Sequence, residues 1–265
     1  MTETKPASPL CGALEGRAVI VTGASSGIGA AAARLFAAEG AAVMLAARRE
    51  DRLRDLEDEI RAAGGRAAHL AGDVADPAFA PALTRAALDA FGALDAAFDN
   101  AGTLGAPGPL EALSPEEWRR VIEVNLSSAF HLARAQIPAL RAAARSGRGA
   151  SLVFTSSFVG HATGLPGMAA YGAAKAGLVG LARGLAAELG PEGVRVNALL
   201  PGGTLTEMAG EDPDHLAAVA RMHALKRLAT PEEIARAALF LISDAGYFVT
   251  GSALFADGGN AISKA

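Results

Sequence analysis

Cysteine is almost missing from this chain of 265 residues, where Cys11 stands alone. One thiol can form neither an internal disulfide framework nor a Cys-rich zinc centre, and such sparing use fits a reducing, cytoplasmic setting. In an N-terminal tail it reads as an incidental free thiol. A basic excess is missing as well. Lys and Arg number 24 against 28 Asp and Glu, and the formal charge of −4 offers no electrostatic footprint for nucleic acid. No apolar run approaches the ~18–20 residues needed to span a bilayer. The opening "MTETKPASPLCG" has no basic stretch followed by an apolar one, so it is not read as a secretory signal. The histidines, His69, His131, His161, His215 and His223, are scattered, and no metal is expected from their spacing.

What is present is apolar. Hydrophobic residues make up 51% of the chain, enough for a sizeable core and too many for disorder. Short β-like runs at 17–22, 41–47, 67–74, 94–102, 149–157, 193–203 and 251–259 alternate with helical stretches at 27–40, 50–65, 77–90, 114–140, 168–190 and 230–243. Ser114 before Pro115 and Thr230 before Pro231 have the form of helix N-caps. Near-uniformly apolar strands alternating with helices imply an α/β fold, a doubly wound parallel sheet of about seven strands covered on both faces. A flexible tail over 1–13 and a single domain over 14–265 are expected. Residues 204–226, polar and weakly patterned after a strand end, read as a substrate-binding insertion.

"VIVTGASSGIG" joins the first strand to the first helix. Gly23, Gly27 and Gly29 would let backbone N–H groups and the helix N-terminus close on a pyrophosphate. The spacing TGxxxGxG resembles that of the short-chain dehydrogenase/reductase family, in its small single-domain branch. "GDV" (72–74), "DNAG" (99–102), "VNLSSAF" (124–130), "FTSSFVG" (154–160), "YGAAK" (171–175), "RVNALLPGG" (195–203) and "FVTGSALFADGG" (248–259) follow in the family's order. The resemblance runs from about residue 14 to 260.

That resemblance implies a nicotinamide cofactor. Gly23, Ser25, Ser26, Gly27, Ile28 and Gly29 would form its phosphate turn, Asp73 and Val74 would meet adenine, and Asn100, Ala101 and Gly102 would line the groove. Pro201, Gly202, Thr204 and Thr206 would hold the nicotinamide end. Asp99 departs from the commoner asparagine. NAD-binding folds of this type carry an acid at the tip of the second strand, whereas NADP-binding ones use Arg. Here Ala47 is followed by Arg48 and Arg49, so NADP(H) is expected over NAD(H), with Arg48 as the main contact.

Tyr171 and Lys175, four residues apart, share a helix face. Alone, that pair suits simple packing. In the family the tyrosine is the acid/base, and Lys175 would acidify Tyr171 by ~3 pKa units, or ~4 kcal/mol, while also holding the cofactor ribose. Ser157, 14 residues before Tyr171, would polarise the substrate oxygen, with Ser156 as the weaker candidate. Asn125 would extend a proton relay through a helix irregularity. The expected activity moves hydride between a ketone and a secondary alcohol. An NAD(H)-dependent sugar or polyol dehydrogenase, a 3-oxoacyl-thioester reductase and a non-catalytic nucleotide-binding regulator are the alternatives. Relatives are commonly tetramers, so a homo-oligomer, tetramer or dimer, is expected, with the small-residue face of 173–187 as one contact.

Overall fold

The structure, a computed structural model, describes residues 12–263. Cys11 and most of the expected tail lie outside them. Ala13 already belongs to the domain, since its N–H donates to Glu39 Oε2 at 3.2 Å, and Leu14 beside it is fully buried.

The strands are β1 Ala18–Thr22, β2 Ala42–Ala47, β3 Arg66–Ala71, β4 Ala96–Asp99, β5 Ala150–Thr155, β6 Val194–Pro201 and β7 Ala253–Ala256. They form one sheet in the order β3-β2-β1-β4-β5-β6-β7, every pair parallel. Parallel neighbours need crossovers, and helices supply them: α1 Gly27–Ala38, α2 Glu50–Ala62, α3 Phe79–Phe91, α4 Pro115–Ile122, α5 Ser128–Arg145, α6 Ala169–Leu189, α7 Pro213–Met222 and α8 Pro231–Ile242.

The two-residue period of the strands divides the core. Val19, Val21, Val43, Leu45, Phe98 and Val153 face α1, α2 and α8. Ile20, Met44, Ala97, Leu152 and Phe154 face α3, α5 and α6. Both sides of the central strands are therefore apolar, as a doubly covered sheet requires, while the edge strand β3 keeps Arg66 exposed. Ala30, Ala31, Ala32 and Ala33 bury the start of α1, and side chains this small let the helix lie close to β1 and α8.

Two expected elements come out differently. The helix read over 114–140 is α4, a π-turn at Glu123–Ser127 and α5, which continues to Arg145 despite Pro138. Residues 204–226 are less irregular than their pattern suggests. They hold a short turn at Glu207–Ala209 and α7, whose N-cap Asp212 accepts from Asp214 N at 3.0 Å. Asp212-Pro213 repeats the cap-then-proline form of Ser114-Pro115 and Thr230-Pro231, and that signal would have found α7.

Candidate active site

Strand order reverses between β1 and β4, which opens a crevice beyond their C-terminal ends. The turn after β1 forms one wall. Gly23 and Gly27 have φ of +68° and +52°. A Cβ on Gly29 would strike the Gly23 carbonyl, and one on Gly23 would meet Asn100 Nδ2 at 2.9 Å. Ser26 caps α1 without a side-chain bond, and no acid lies in the helix's first turn. Its first N–H groups are thus left for an anion, which fits a dinucleotide pyrophosphate. Ile28 packs part-buried on the core behind the turn.

The opposite wall is stitched through Thr22, the first residue of the TGxxxGxG stretch, to which the motif alone gave no role. Thr22 Oγ1 accepts from the N–H groups of Asn100 (2.9 Å) and Ala101 (3.1 Å). Asn100 Nδ2 donates to Thr22 O at 3.2 Å, and its Oδ1 accepts from Thr155 Oγ1 at 3.1 Å. The ends of β1, β4 and β5 are joined by these bonds. A Cβ on Gly102 would meet Asn125 Oδ1 at 2.8 Å and Lys175 Nζ at 3.2 Å, so this glycine brings both side chains to the groove.

Tyr171, Lys175, Ser157 and Asn125 converge here from three elements. Lys175 is buried, and its Nζ donates to Thr155 O at 2.7 Å and lies 5.6 Å from the Tyr171 ring centre. Burial lowers Lys175 to about 8. The Tyr171 phenol bonds Ser157, yet burial outweighs that bond and raises its pKa above the ordinary 10. This runs against the expectation of a phenol acidified by Lys175: burial is the larger cause, and what opposes it is the bond to Ser157. Ser157 Oγ also accepts from Val159 N at 3.1 Å. Ser156 has a supporting position instead, donating to Lys175 O at 2.6 Å and fastening α6 to the end of β5. Gly160, at φ +90°, packs on the Gly172 backbone with no room for a Cβ, which draws the loop after Ser157 against α6.

Asn125 sits in the π-turn. Its Nδ2 donates to Val121 O and Thr103 O, both at 2.9 Å, and its Oδ1 accepts from Thr103 N at 3.1 Å. The side chain takes a carbonyl that the helical ladder would otherwise use, an arrangement suited to a π-turn.

Around this centre, several expected contacts are redistributed. Arg49, not Arg48, reaches the glycine turn: it donates to Ser25 Oγ (3.0 Å from Nη2), to Ser26 Oγ (2.8 Å) and to Glu207 Oε2 (3.0 Å). Arg48, one position before the α2 N-cap, is exposed, as Arg49 is. Asp73 is exposed, its Oδ1 closing a local turn by accepting from Ala75 N, while Val74 is buried. Thr204 is buried with its hydroxyl on Gly202 O, so it offers the groove backbone only. Thr206 packs over Gly27, its Cγ2 lying 2.9 Å from where a Cβ there would be.

His223 is a further missed residue. Fully buried, it accepts from Gly203 N at 2.9 Å through Nε2 and faces Val219 O at 2.8 Å through Nδ1. Those partners assign a neutral imidazole protonated at Nδ1. It ties the end of α7 to the turn after Pro201 and Gly202. His161 stacks on Phe255 at 5.8 Å and bonds no site residue. No cluster of metal-ligand type occurs among the described residues. Asp99 is buried, with Oδ1 accepting from Gln136 Nε2 at 3.1 Å, and burial pushes it up to about 7. Among the described residues, Asp99 Oδ2 and Gln136 Oε1 have no partner.

Comparison with known proteins agrees with this geometry. Residues 23–261 match the family model described as enoyl-(acyl carrier protein) reductase. The chain is 42% identical over 252 residues to an A-factor type γ-butyrolactone 1′-reductase (1S-forming) of Streptomyces virginiae, covering 94% of this chain and 96% of the relative. A short chain dehydrogenase of Burkholderia cenocepacia in complex with NADP superposes with a TM-score of 0.87 at 32% identity, covering 93% of this chain and 98% of that one. Carveol dehydrogenase of Mycobacterium avium in complex with NAD gives 0.89 at 29% identity, covering 94% and 99%.

Proposed function

The chain belongs to the short-chain dehydrogenase/reductase family and is an oxidoreductase acting on CH–OH donors, and we propose that it moves hydride between NADP(H) and a ketone or secondary-alcohol carbon through Tyr171, Ser157, Lys175 and Asn125. The observation that carries this reading is the meeting of Tyr171 with Ser157 above a buried Lys175. A nicotinamide cofactor supplies or accepts the hydride. Tyr171 gives its proton to the developing alkoxide in reduction and takes the hydroxyl proton in oxidation. Ser157 donates to the same oxygen and holds it beside the phenol. Lys175, drawn down to about 8 by burial, is still mostly protonated at neutral pH and offers its charge to the tyrosinate when that forms. Asn125 stands in the π-turn, and from there, with a water, it would carry protons from Lys175 to solvent.

NADP(H) is favoured by the tip of β2, where Ala47 stands in place of an acid and Arg49 lies on Ser25 and Ser26. Tyr171 borders a small cleft with Leu104, Leu110, Leu113 and Met168, which places apolar side chains beside the phenol. No helix among the described residues is long and apolar enough to cross a membrane. We take the protein to work in the cytoplasm as a homo-oligomer.

The test follows NADPH absorbance over a panel of cyclic and acyclic ketones, with wild type and Tyr171→Phe. Turnover should fall ~10²–10⁴-fold in the variant while NADPH still binds. Wild-type turnover in Tyr171→Phe would remove the mechanism.

A further inference from the structure

The sequence carries no acid at the tip of β2, yet the structure brings one there from a distant segment. Glu207 lies 158 positions beyond Arg49 in the chain. It opens the short turn that follows Thr206, whose methyl rests on Gly27 of the phosphate turn. Its carboxylate pairs with Arg49 at 3.0 Å and bonds the Ser26 hydroxyl, and Arg52 adds charge attraction. Arg49 itself spans Ser25 and Ser26. One guanidinium and one hydroxyl therefore hold a carboxylate in a small anion site at the adenosine end of the groove.

We propose that Glu207 is a built-in competitor for the cofactor's 2′-phosphate, so that NADP(H), but not NAD(H), must displace the start of the 204–226 segment from Arg49. This rests on Arg49 being the 2′-phosphate contact. A phosphate dianion and a carboxylate cannot share one guanidinium without mutual repulsion. A 2′-hydroxyl carries no charge, so NAD(H) leaves the Arg49–Glu207 pair in place. The choice of cofactor is thereby coupled to the position of the segment expected to cover the substrate. Removing the competing charge should improve NADPH binding far more than NADH binding, since only the 2′-phosphate adds charge beside Arg49. Both side chains are largely exposed, at 42% and 61%, so the effect is modest and screened by salt.

The experiment measures dissociation constants of NADPH and NADH by calorimetry at low ionic strength for wild type, Glu207→Gln and Arg49→Ala. Melting temperatures confirm that the variants fold. Glu207→Gln should tighten NADPH about three- to tenfold and leave NADH within about twofold, and the gain should shrink in high salt. If Glu207→Gln leaves NADPH unchanged while Arg49→Ala weakens it, the competitor is overturned and the NADP(H) reading stands. If neither variant alters NADPH affinity, the competitor and the role of Arg49 both fall. Equal tightening of NADPH and NADH in Glu207→Gln would also overturn it, since the effect would then be independent of the phosphate.

Discussion

The two ends of the cofactor groove are built on opposite physical terms. At the nicotinamide end, Lys175, Asn125, Ser156 and Ser157 are buried, and each is held by named hydrogen bonds. At the adenosine end, Arg49 and Glu207 meet in water. Burial fixes the groups at the first end and shifts the protonation of Lys175. Exposure leaves Arg49 and Glu207 free to exchange partners. The chemical end therefore carries unfavourable desolvation that the selective end does not, and substitution should affect the two in opposite ways.

Lys175→Met breaks this contrast most sharply. Activity should drop by ~10²-fold or more, because the buried cation beside Tyr171 is lost. Stability should move the other way. Lys175 loses its proton near 8 in the folded chain, against an ordinary 10.5 when unfolded. Between those values the unfolded state binds more protons, so the stability owed to this residue rises with pH and is lowest below pH ~8. Burying the charge at neutral pH costs about 3 kcal/mol on that scale, partly offset by the bond to Thr155 O. Denaturant melts at pH 7 should find the variant at least as stable as wild type. A variant that is inactive and clearly destabilised would place Lys175 among the stabilising contacts instead.

Asp99→Asn is the next test, and it concerns stability alone. The native carboxyl titrates near 7 against an ordinary 3.8, raised chiefly by burial and opposed by Gln136. The folded state holds the extra proton between these values, so stability falls as pH rises through this window and levels off above pH ~7. The penalty amounts to a few kcal/mol at most, roughly 1.4 per pKa unit. An amide keeps the bond to Gln136 Nε2 and can donate to Gln136 Oε1, which satisfies both orphaned atoms. The variant should melt higher than wild type at pH 8, and by little at pH 5. A wild type whose melting is flat between pH 5 and 8 would remove the argument.

The same contrast explains what was legible in the sequence. All seven strands were marked by short apolar runs, because a doubly covered parallel sheet buries both faces of its central strands. Gly23, Gly29, Asn125, Ser157, Tyr171 and Lys175 were marked by motif, because buried geometry tolerates few residue types. Thr22 stands inside the glycine motif and His223 outside any, and neither showed its role in the sequence, since both act on backbone groups brought to them by the fold. Which of Arg48 and Arg49 lies on the glycine turn was not legible for another reason: adjacent residues at a strand-to-helix junction point in different directions, and sequence gives no direction there. Glu207 was invisible because an exposed pair 158 residues apart leaves no local trace.

His223→Leu gives the smallest effect and joins the two ends. The imidazole anchors the base of the segment whose tip bears Glu207, through Gly203 N on one side and Val219 O on the other. Leucine fills much of the space but leaves the part-buried Gly203 N–H without its acceptor, which costs ~1 kcal/mol. The turn from Gly202 to Thr206 should loosen, raising KM for cofactor and substrate a few-fold with kcat little changed, since Tyr171 and Lys175 are untouched. Glutamine can accept from Gly203 N and donate to Val219 O, so His223→Gln should recover most of the loss. If glutamine fails while leucine is tolerated, packing and not the hydrogen-bond pair holds the turn. If kcat falls with KM unmoved, the anchor acts on the chemical end, and the division between the two ends of the groove is not as drawn.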